Sequence, residues 1–206
     1  MGHGRGASGS GHADRPVTDC GVLFLAAGRG RRSGGPKAWH EYQGKPLLAH
    51  HIDFLRTALH IDDIAISIQA GWEDRCRVLD ARADWVVVDP DAPALASLIA
   101  LIDTVKSGGR GHLRRFVYHV DMPLWDAGVF KRLNAPVAGS GEHMGIVPVF
   151  SGRRGHPVLL SPLAQDAVSR LDGQRDRLDS WLRSVSVLEV DAGSSVVLEN
   201  WNSDIT

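Results

Sequence analysis

The chain has 206 residues, of which 43% are hydrophobic and 23% are charged, and its formal net charge is −1. This is the composition of an ordinary globular protein that is long enough for one full hydrophobic core. The near-neutral charge argues against a general nucleic-acid-binding protein, because affinity for a phosphate backbone requires a net basic surface. No apolar run approaches the length of a membrane span, so we expect no membrane partner. The two cysteines, Cys20 and Cys76, show neither a disulfide framework nor a metal-ligand spacing, which favours a reducing, cytoplasmic location.

Residues 1–16 are rich in glycine and polar residues and contain no apolar segment, which predicts a disordered tail rather than a signal peptide. Residues 17–206 show no internal repeat, heptad pattern or low-complexity boundary. We therefore expect residues 17–206 to form a single domain.

The first predicted element is the unbroken apolar run at residues 22–27, which is typical of a strand buried on both faces. The next ten residues, 28–37, contain four glycines, three arginines and one lysine. Glycine lets the backbone approach a ligand closely, and successive free N–H groups form an anion-binding nest. Lys37 and the arginines add full positive charges for phosphate groups. This order of strand, glycine-rich loop and Lys37 predicts a triphosphate-binding loop, and the alternative is an exposed basic surface loop.

Two common phosphate-binding loops do not fit this segment. In the Walker A loop lysine directly follows glycine, whereas here Pro36 precedes Lys37 and Ala38 replaces the metal-binding serine or threonine. The dinucleotide-binding pattern G-x-G-x-x-G requires a third glycine, and Ser33 stands in its place. The loop therefore belongs to neither class.

Helical and strand patterns alternate along the rest of the chain. Further strands are predicted at residues 61–69, 85–88, 115–120, 145–150, 157–160, 185–190 and 196–198. Helices are predicted at residues 47–55, 72–82, 94–105, 124–133, 162–171 and 175–182. This alternation predicts an α/β fold in three layers, with a doubly wound, mostly parallel sheet between two layers of helices.

Asp121 directly follows the predicted strand at 115–120, and open α/β sheets bind ligands at the carboxyl ends of their strands. A carboxylate there can hold Mg²⁺ against triphosphate oxygens, because Mg²⁺ takes one or two carboxylates together with phosphate and water. The alternative is that Asp121 caps the following helix. His119 lies two residues earlier on the same strand face, where it either orients Asp121 or packs in the interior, and we favour packing.

A basic turn at residues 151–156 joins two predicted strands. It contains Arg154 and His156, whose side chains are suited to binding the phosphate of an acceptor molecule. From the turn alone, an exposed hairpin turn without a binding role is an equally supported alternative.

These segments resemble the molybdenum-cofactor nucleotidyltransferase family, which contains molybdopterin guanylyl- and cytidylyltransferases. The resemblance rests on L-A-A-G-x-G-x-R-x-G-x-P-K at 25–37, D-M-P at 121–123, G-x-x-G-H-P-V at 152–158 and N-x-N at 200–202. In the segment where the family reads the base, Leu95 and Ser97 match but the family's glycines are missing. The base of the nucleotide, cytosine or guanine, therefore stays open.

The resemblance implies a Rossmann-like fold of the nucleotide-diphospho-sugar transferase type and a Mg²⁺-dependent reaction. A nucleoside monophosphate would move from CTP or GTP to a small phosphorylated acceptor, in the first place molybdopterin, and pyrophosphate would be released. The residues to which the resemblance assigns roles are, for the nucleotide, Leu25, Ala26, Ala27, Gly28, Arg29, Gly30, Leu95 and Ser97; for catalysis, Arg32 and Lys37; for the metal, Asp121 and Asn202; and for the acceptor, Arg154 and His156.

Two alternative functions stay open. A sugar-phosphate or alditol-phosphate nucleotidyltransferase would share the fold and the opening loop. A nucleotide-binding regulatory protein without turnover would account for the missing glycines and for the C-terminal phrase, in which Ser203 replaces a threonine and no Pro-Glu pair follows. The pattern does not indicate an oligomeric state.

Overall fold

The computed structural model describes residues 19–31, 34–135 and 143–201. The tail predicted at residues 1–16 lies outside these ranges, as do Arg32 and Asn202. Cys20 and Cys76 are both buried, and neither forms a disulfide. None of the helices in the described ranges combines the length and the apolar character that a membrane crossing requires.

Most strands belong to one mixed sheet. The strands are β1 (Cys20–Leu25), β2 (Glu41–Tyr42), β3 (Lys45–Pro46), β4 (Ile64–Ile68), β5 (Asp84–Val87), β6 (Arg114–His119), β7 (Gly145–Phe150), β8 (Arg153–Arg154), β9 (Val158–Leu160) and β10 (Val187–Asp191). The sheet has the order β10-β7-β9-β6-β1-β4-β5, β8 pairs with β7, and β2 and β3 form a separate ribbon. β1 is parallel to β4 and β6, β5 to β4, and β10 to β7, whereas β9 is antiparallel to both of its neighbours. The prediction of a mostly parallel sheet is confirmed.

Helices cover both faces of this sheet. They are α1 (Leu47–Asp53), α2 (Glu73–Leu79), α3 (Ala94–Ser107), α4 (Ala127–Asn134), α5 (Pro162–Val168) and α6 (Leu178–Ser184). Alternate side chains of β1 point to opposite faces. Val22 and Phe24 join the core formed with α1, α2 and α4, whereas Leu23 and Leu25 join the core formed with α3, α5 and α6. The predicted three-layer α/β architecture is therefore present.

The strand predicted at residues 196–198 is wrong. This segment is a 3₁₀ helix, Ser195–Leu198, because the hydroxyl of Ser194 accepts the N–H of Val196 and starts a helical turn. Other boundaries shift by a few residues, and α1 continues into a π-helical turn at Phe54–Ala58. Within residues 143–201, β10 is consequently the last strand of the sheet.

A buried ion pair holds the amino-terminal ends of β1, β4 and β6 together. Arg115 is fully buried and donates two hydrogen bonds to the carboxylate of Asp63, at 2.7 and 2.8 Å. It donates a third to the carbonyl oxygen of Arg110 at 2.9 Å. Gly21 is required beside this pair, because a Cβ there would collide with the guanidinium of Arg115. The bidentate geometry leaves these strand ends little freedom to slip.

His51 lies in the core beneath the carboxyl end of β6 and is fully buried. Its Nε2 donates to the carbonyl oxygen of Val120 at 3.1 Å, and its Nδ1 accepts from the indole N–H of Trp125 at 3.2 Å. These partners require a neutral ring, because a carbonyl oxygen can only accept and an indole N–H can only donate. Burial lowers the pKa of His51 to about 3.

We expect the free energy of unfolding to depend on pH through His51. The pKa of His51 is lower in the folded chain than in the unfolded chain, where it is about 6.5. The stability contributed by the neutral ring is therefore complete above about pH 6.5 and falls as the pH decreases towards 3, by about 1.4 kcal/mol per pH unit. Urea unfolding between about pH 7 and 5 should show a flatter profile for His51→Gln than for the wild type. Parallel profiles would contradict a neutral, buried ring.

Candidate functional site

The carboxyl ends of β1, β4 and β6 border a cavity of about 290 Å³. Because these strands are parallel neighbours, the residues that follow them meet at one edge of the sheet. The cavity is lined by Leu25, Ala27, Gly28, Gly30, Lys37, Ser67, Asp89, Pro90, Ala92, Ala94, Ser97, His119, Val120 and Asp121. Seven of the residues predicted for the site are in this set, so the structure brings half of that prediction together in one place.

β4 braces the backbone that follows β1. The N–H of Ala26 donates to the hydroxyl oxygen of Ser67 at 3.1 Å, and the side-chain amide of Gln69 donates to the carbonyl oxygen of Ala27 at 3.0 Å. The loop then turns at Gly30, where φ is +59°, a value that favours glycine. Ser67 and Gln69 were not predicted. The signal that could have found them is their position at the end of the strand that pairs with β1.

Lys37 joins three parts of the chain. It begins a 3₁₀ helix, Lys37–Trp39, and its Nζ lies 3.5 Å from Oδ2 of Asp121. The same Nζ donates a hydrogen bond to the carbonyl oxygen of Trp201. The N–H of Trp201 in turn donates to the carbonyl oxygen of Asp121 at 2.7 Å. The side chains of Lys37 and Asp121 are 16% and 31% exposed, so this contact is shielded from water but still open to the cavity.

Asp121 lines the cavity and does not cap a helix. The helix that follows begins at Ala127, and its N-cap is Asp126, whose Oδ1 accepts the N–H of Gly128 at 2.8 Å. The helix-cap alternative for Asp121 is therefore wrong. Within the described ranges, no group of three or more His, Cys, Asp or Glu side chains could hold a metal ion. A single carboxylate suits a Mg²⁺ ion that takes its other ligands from phosphate and water, and the second predicted ligand, Asn202, lies outside the described residues.

Two arginines of the glycine-rich loop, Arg29 and Arg31, share one carboxylate partner. Arg29 and Arg31 each place a guanidinium nitrogen 2.6 Å from the carboxylate of Asp91. Burial acts to raise the pKa of Asp91, but the hydrogen bonds and charges of the two arginines lower it below its ordinary value. The loop after β1 is thereby joined to the loop after β5, which contributes Asp89 to the cavity wall. Arg29 was predicted to bind nucleotide, whereas its partner Asp91 was not assigned a role.

A second cavity of about 540 Å³ adjoins the first and shares Leu25, Ala94 and His119 with it. It is lined by Leu25, Pro93, Ala94, Leu95, Leu98, His119, His156, Asp176, Arg177, Leu178, Asp179 and Leu182. Three predicted site residues are found here: Leu25, which also lines the first cavity, Leu95 and His156. Ser97, which was predicted together with Leu95, faces the first cavity instead.

His119 and His156 stand next to each other, with ring centroids 5.7 Å apart. Burial lowers the pKa of both rings, and the nearby His156 lowers that of His119 further, to about 4, although the carboxylate of Asp121 acts in the opposite direction. Both rings are therefore neutral near pH 7. Nδ1 of His156 is buried and has no hydrogen-bond partner among the described residues. We favoured packing for His119 from the sequence, whereas the structure places it on the wall shared by the two cavities.

The side chain of Arg154 is not found in the cavity that His156 lines. The Nε atom of Arg154 lies 2.7 Å from Oε1 of Glu189. Arg154 is not among the described residues that line either cavity. Gly155 lies against Val197 so closely that a Cβ would collide with the carbonyl group. The N–H of His156 donates to that carbonyl oxygen at 2.9 Å. The two residues predicted for the acceptor thus lie in different surroundings.

Comparison with known proteins identifies the family. The sequence profile of the MobA-like NTP transferase domain matches residues 22–190, which is well over half of the chain. The chain belongs to this family. The resemblance to the molybdenum-cofactor nucleotidyltransferase family is confirmed.

Three curated relatives differ in the acceptors or activities that their names state. The molybdenum cofactor guanylyltransferase of Pseudomonas putida is 33% identical over 127 residues, which cover 61% of this chain and 62% of the relative. The 2-C-methyl-D-erythritol 4-phosphate cytidylyltransferase of Cereibacter sphaeroides is 29% identical over 132 residues, with coverages of 62% and 58%. The bifunctional protein GlmU of Ralstonia pickettii is 28% identical over 187 residues, with coverages of 87% and 39%. The chain therefore spans less than two thirds of the length of each of these relatives.

Solved structures share the fold. Rv0371c of Mycobacterium tuberculosis matches with a TM-score of 0.66 at 21% identity, over 84% of this chain and 88% of that chain. The same protein in complex with manganese matches with a TM-score of 0.61 at 22% identity, with the same coverages. At these identities the likeness shows the fold alone, and it confirms the predicted Rossmann-like architecture.

We expect Ser67→Ala to lower the free energy of unfolding by about 1–3 kcal/mol, because the buried N–H of Ala26 would lose its hydrogen-bond acceptor. Urea unfolding measures this change. Ser195→Ala, at an exposed position, is the matched control and should change the free energy of unfolding by less than about 0.5 kcal/mol. Equal effects of the two substitutions would show that Ser67 does not brace the loop.

Proposed function

We propose that this chain transfers a nucleoside monophosphate from CTP or GTP to a small phosphorylated acceptor and releases pyrophosphate. The observation that carries the proposal is the meeting of Lys37 and Asp121, 3.5 Å apart, on the wall of a cavity that begins at the glycine-rich loop. A fixed cation and a carboxylate that can bind a metal are the groups that phosphoryl transfer requires beside the reacting phosphorus. Membership of the NTP transferase family supports the same reaction.

In this reaction an oxygen of the acceptor phosphate forms a bond to the α-phosphorus, and the bond from that phosphorus to the oxygen bridging to the β-phosphate breaks. Such a transfer depends on positioning and charge neutralisation more than on covalent chemistry of the protein. The backbone at Gly28 and Gly30 would bind the phosphates, and Lys37 would neutralise the charge that grows at the α-phosphate. Arg32 would neutralise the leaving pyrophosphate, a role that we propose from the sequence alone.

Asp121 is the described residue that would hold a divalent metal, which in this proposal is Mg²⁺, and Asn202 would support it. Bound in this way, Mg²⁺ would neutralise negative charge on the phosphate oxygens. The position of the carboxylate on the wall of the cavity supports this assignment. The related structure solved with manganese supports a divalent cation in general.

The second cavity is the proposed acceptor site, because it shares His119 with the nucleotide cavity and therefore adjoins the reacting phosphate. His156 would contact the polar part of the acceptor, and leucines such as Leu98 and Leu182 would contact its apolar part. Arg154 would have to leave Glu189 to reach this cavity, so we give it less weight than the sequence did.

Molybdopterin is the first candidate acceptor, and the guanylyltransferase relative, which is 33% identical, supports it. An alditol phosphate is the second candidate, because a relative of nearly the same similarity is a 2-C-methyl-D-erythritol 4-phosphate cytidylyltransferase. The two candidates differ in the apolar area of the acceptor and in the base of the nucleotide, so one assay can separate them.

The test of the function is pyrophosphate release with each of the common NTPs, Mg²⁺ and either molybdopterin or 2-C-methyl-D-erythritol 4-phosphate. We expect release with CTP or GTP and molybdopterin, and none when the acceptor is omitted. Release with the alditol phosphate alone would replace the first candidate by the second. If nucleotide raises the melting temperature but no pair releases pyrophosphate, the chain binds nucleotide without turnover and the proposal is wrong.

In the same assay, Lys37→Ala should lower kcat more than it weakens NTP binding, because interactions that strengthen in the transition state are those that accelerate the chemical step. The expected loss is about 2.7–4 kcal/mol of transition-state stabilisation, as for removal of one preorganised electrostatic contact. Lys106→Ala is the matched control, since Lys106 pairs with Asp166 outside both cavities. Turnover of Lys37→Ala near the wild-type value would remove the proposed role.

Asp121→Asn should abolish the effect of Mg²⁺ on nucleotide affinity while the protein stays folded, because the substitution keeps the shape of the side chain but removes its charge. The control is Asp126→Ala, which should cost about 0.5–2 kcal/mol of stability through loss of the helix cap and leave the metal response unchanged. NTP titrations with and without Mg²⁺, together with melting curves, measure both effects. A normal Mg²⁺ response in Asp121→Asn would show that the metal is bound elsewhere.

A further inference from the structure

Three aromatic side chains from distant parts of the chain pack together beside Lys37. We call Tyr42, Trp125 and Trp201 the aromatic clamp. The rings of Tyr42 and Trp125 are stacked with their centroids 5.4 Å apart. The ring of Trp201 contacts both, at 5.2 Å from Tyr42 and 5.7 Å from Trp125. Aromatic pairs at these distances bury a large area in a defined geometry. The ring of Trp201 therefore has one defined binding position, which we call its seat, against the rings of Tyr42 and Trp125.

The seat itself is fixed by α1. Nε2 of His50 lies 2.5 Å from the carbonyl oxygen of Tyr42, and the indole N–H of Trp125 donates to Nδ1 of His51 at 3.2 Å. Both histidines belong to α1, and His51 is buried in the core. Tyr42 and Trp125 therefore present a surface that is held by the core of the protein rather than by a loop.

The backbone of Trp201 reaches both charged groups of the proposed site. Its carbonyl oxygen accepts from Nζ of Lys37, and its N–H donates to the carbonyl oxygen of Asp121 at 2.7 Å. The two preceding residues, Glu199 and Asn200, are exposed. Among residues 199–201, the ring of Trp201 is therefore the side chain that holds the backbone next to Lys37 and Asp121.

We propose that Trp201 is a positioning residue: its ring, held by Tyr42 and Trp125, fixes the carbonyl oxygen that orients the ammonium group of Lys37. The proposal rests on the proposed function, because that function gives Lys37 its role at the α-phosphate. The ammonium group of a lysine sits on a flexible four-carbon stem, so its position changes when the carbonyl oxygen to which it donates a hydrogen bond moves. Trp201 does not touch the reacting atoms and acts through Lys37.

Trp201→Ala should therefore lower kcat about 10- to 100-fold, because a misplacement of about 1 Å is enough for such a loss. The KM for NTP should change little, since the contacts of the glycine-rich loop with the nucleotide stay in place. Trp201→Phe should restore most of kcat, because a smaller aromatic ring can still occupy the same seat. Equal losses in the Ala and Phe variants would contradict a role for the ring.

A double-mutant cycle separates positioning from general stability. In the Lys37→Ala background, Trp201→Ala should have no further effect on kcat, because the group that it positions is gone. Equal losses in both backgrounds would overturn the proposal. The matched control is Trp85→Ala, which removes another half-buried tryptophan whose indole N–H donates to the carbonyl oxygen of Asp80 at 2.9 Å. This control should leave kcat unchanged.

Acetylation of Lys37 by an amine-reactive reagent, followed by mass spectrometry, tests the contact without turnover. Trp201→Ala should raise the acetylation rate of Lys37 relative to that of Lys106 in the same sample, and Trp85→Ala should not. An unchanged rate would overturn the contact on which the proposal depends. A raised rate in a protein that releases no pyrophosphate would reject the proposed function, and with it the catalytic consequence of Trp201, while the contact itself would stand.

Discussion

Parallel pairing of β1 with both β4 and β6 is the constraint on which the site depends. Leu25, the last residue of β1, is paired with Ser67 on one side and with His119 on the other. The three strands therefore end at one level, and the residues that follow each of them arrive at the same edge of the sheet. At the opposite edge, the buried pair of Arg115 and Asp63 joins the ends at which these strands begin. The register fixed there determines which side chains face each other at the cavity.

The two adjoining cavities are lined by different charged groups. The first has Lys37, Asp89 and Asp121 on its wall, and the second has Asp176, Arg177 and Asp179. In the glycine-rich loop, Arg29 and Arg31 pair with Asp91. His119 lies on the wall that the cavities share, and His156 lies beside it in the second cavity. Both rings are uncharged near pH 7 because burial lowers their pKa values. Lys37, Arg29 and Arg31 thus lie at the end formed by the glycine-rich loop. This arrangement supports a triphosphate at the loop and an acceptor beyond the histidines.

The parts of the site that could be predicted are those whose side-chain chemistry lies directly after an apolar strand. The glycine-rich loop and Asp121 both have this position, and the fold class follows from the same alternation of strands and helices. Trp201 escaped prediction because its contacts with the site are made by backbone atoms and by ring packing, which leave no pattern of spacing. Arg154 was assigned to the acceptor because of its charge and its place in a basic turn. Its pairing with Glu189 depends on the sheet, because β8, which contains Arg154, and β10, which contains Glu189, both pair with β7. The segment after Ser194 has the apolar pattern of a strand, but one hydroxyl group starts a 3₁₀ helix there.

The hydrogen bond between Lys37 and Trp201 joins residues that are 164 positions apart in the sequence. A ribosome adds about 5–20 residues per second. The loop that contains Lys37 is therefore synthesised roughly 10–30 s before Trp201, whose carbonyl oxygen accepts the hydrogen bond of Lys37. A growing chain therefore contains the strand, the glycines and the lysine well before anything can hold the ammonium group in place. The aromatic seat is also available early, since Tyr42 and Trp125 both precede Trp201. The site is completed only when Trp201 emerges and its ring closes onto that seat.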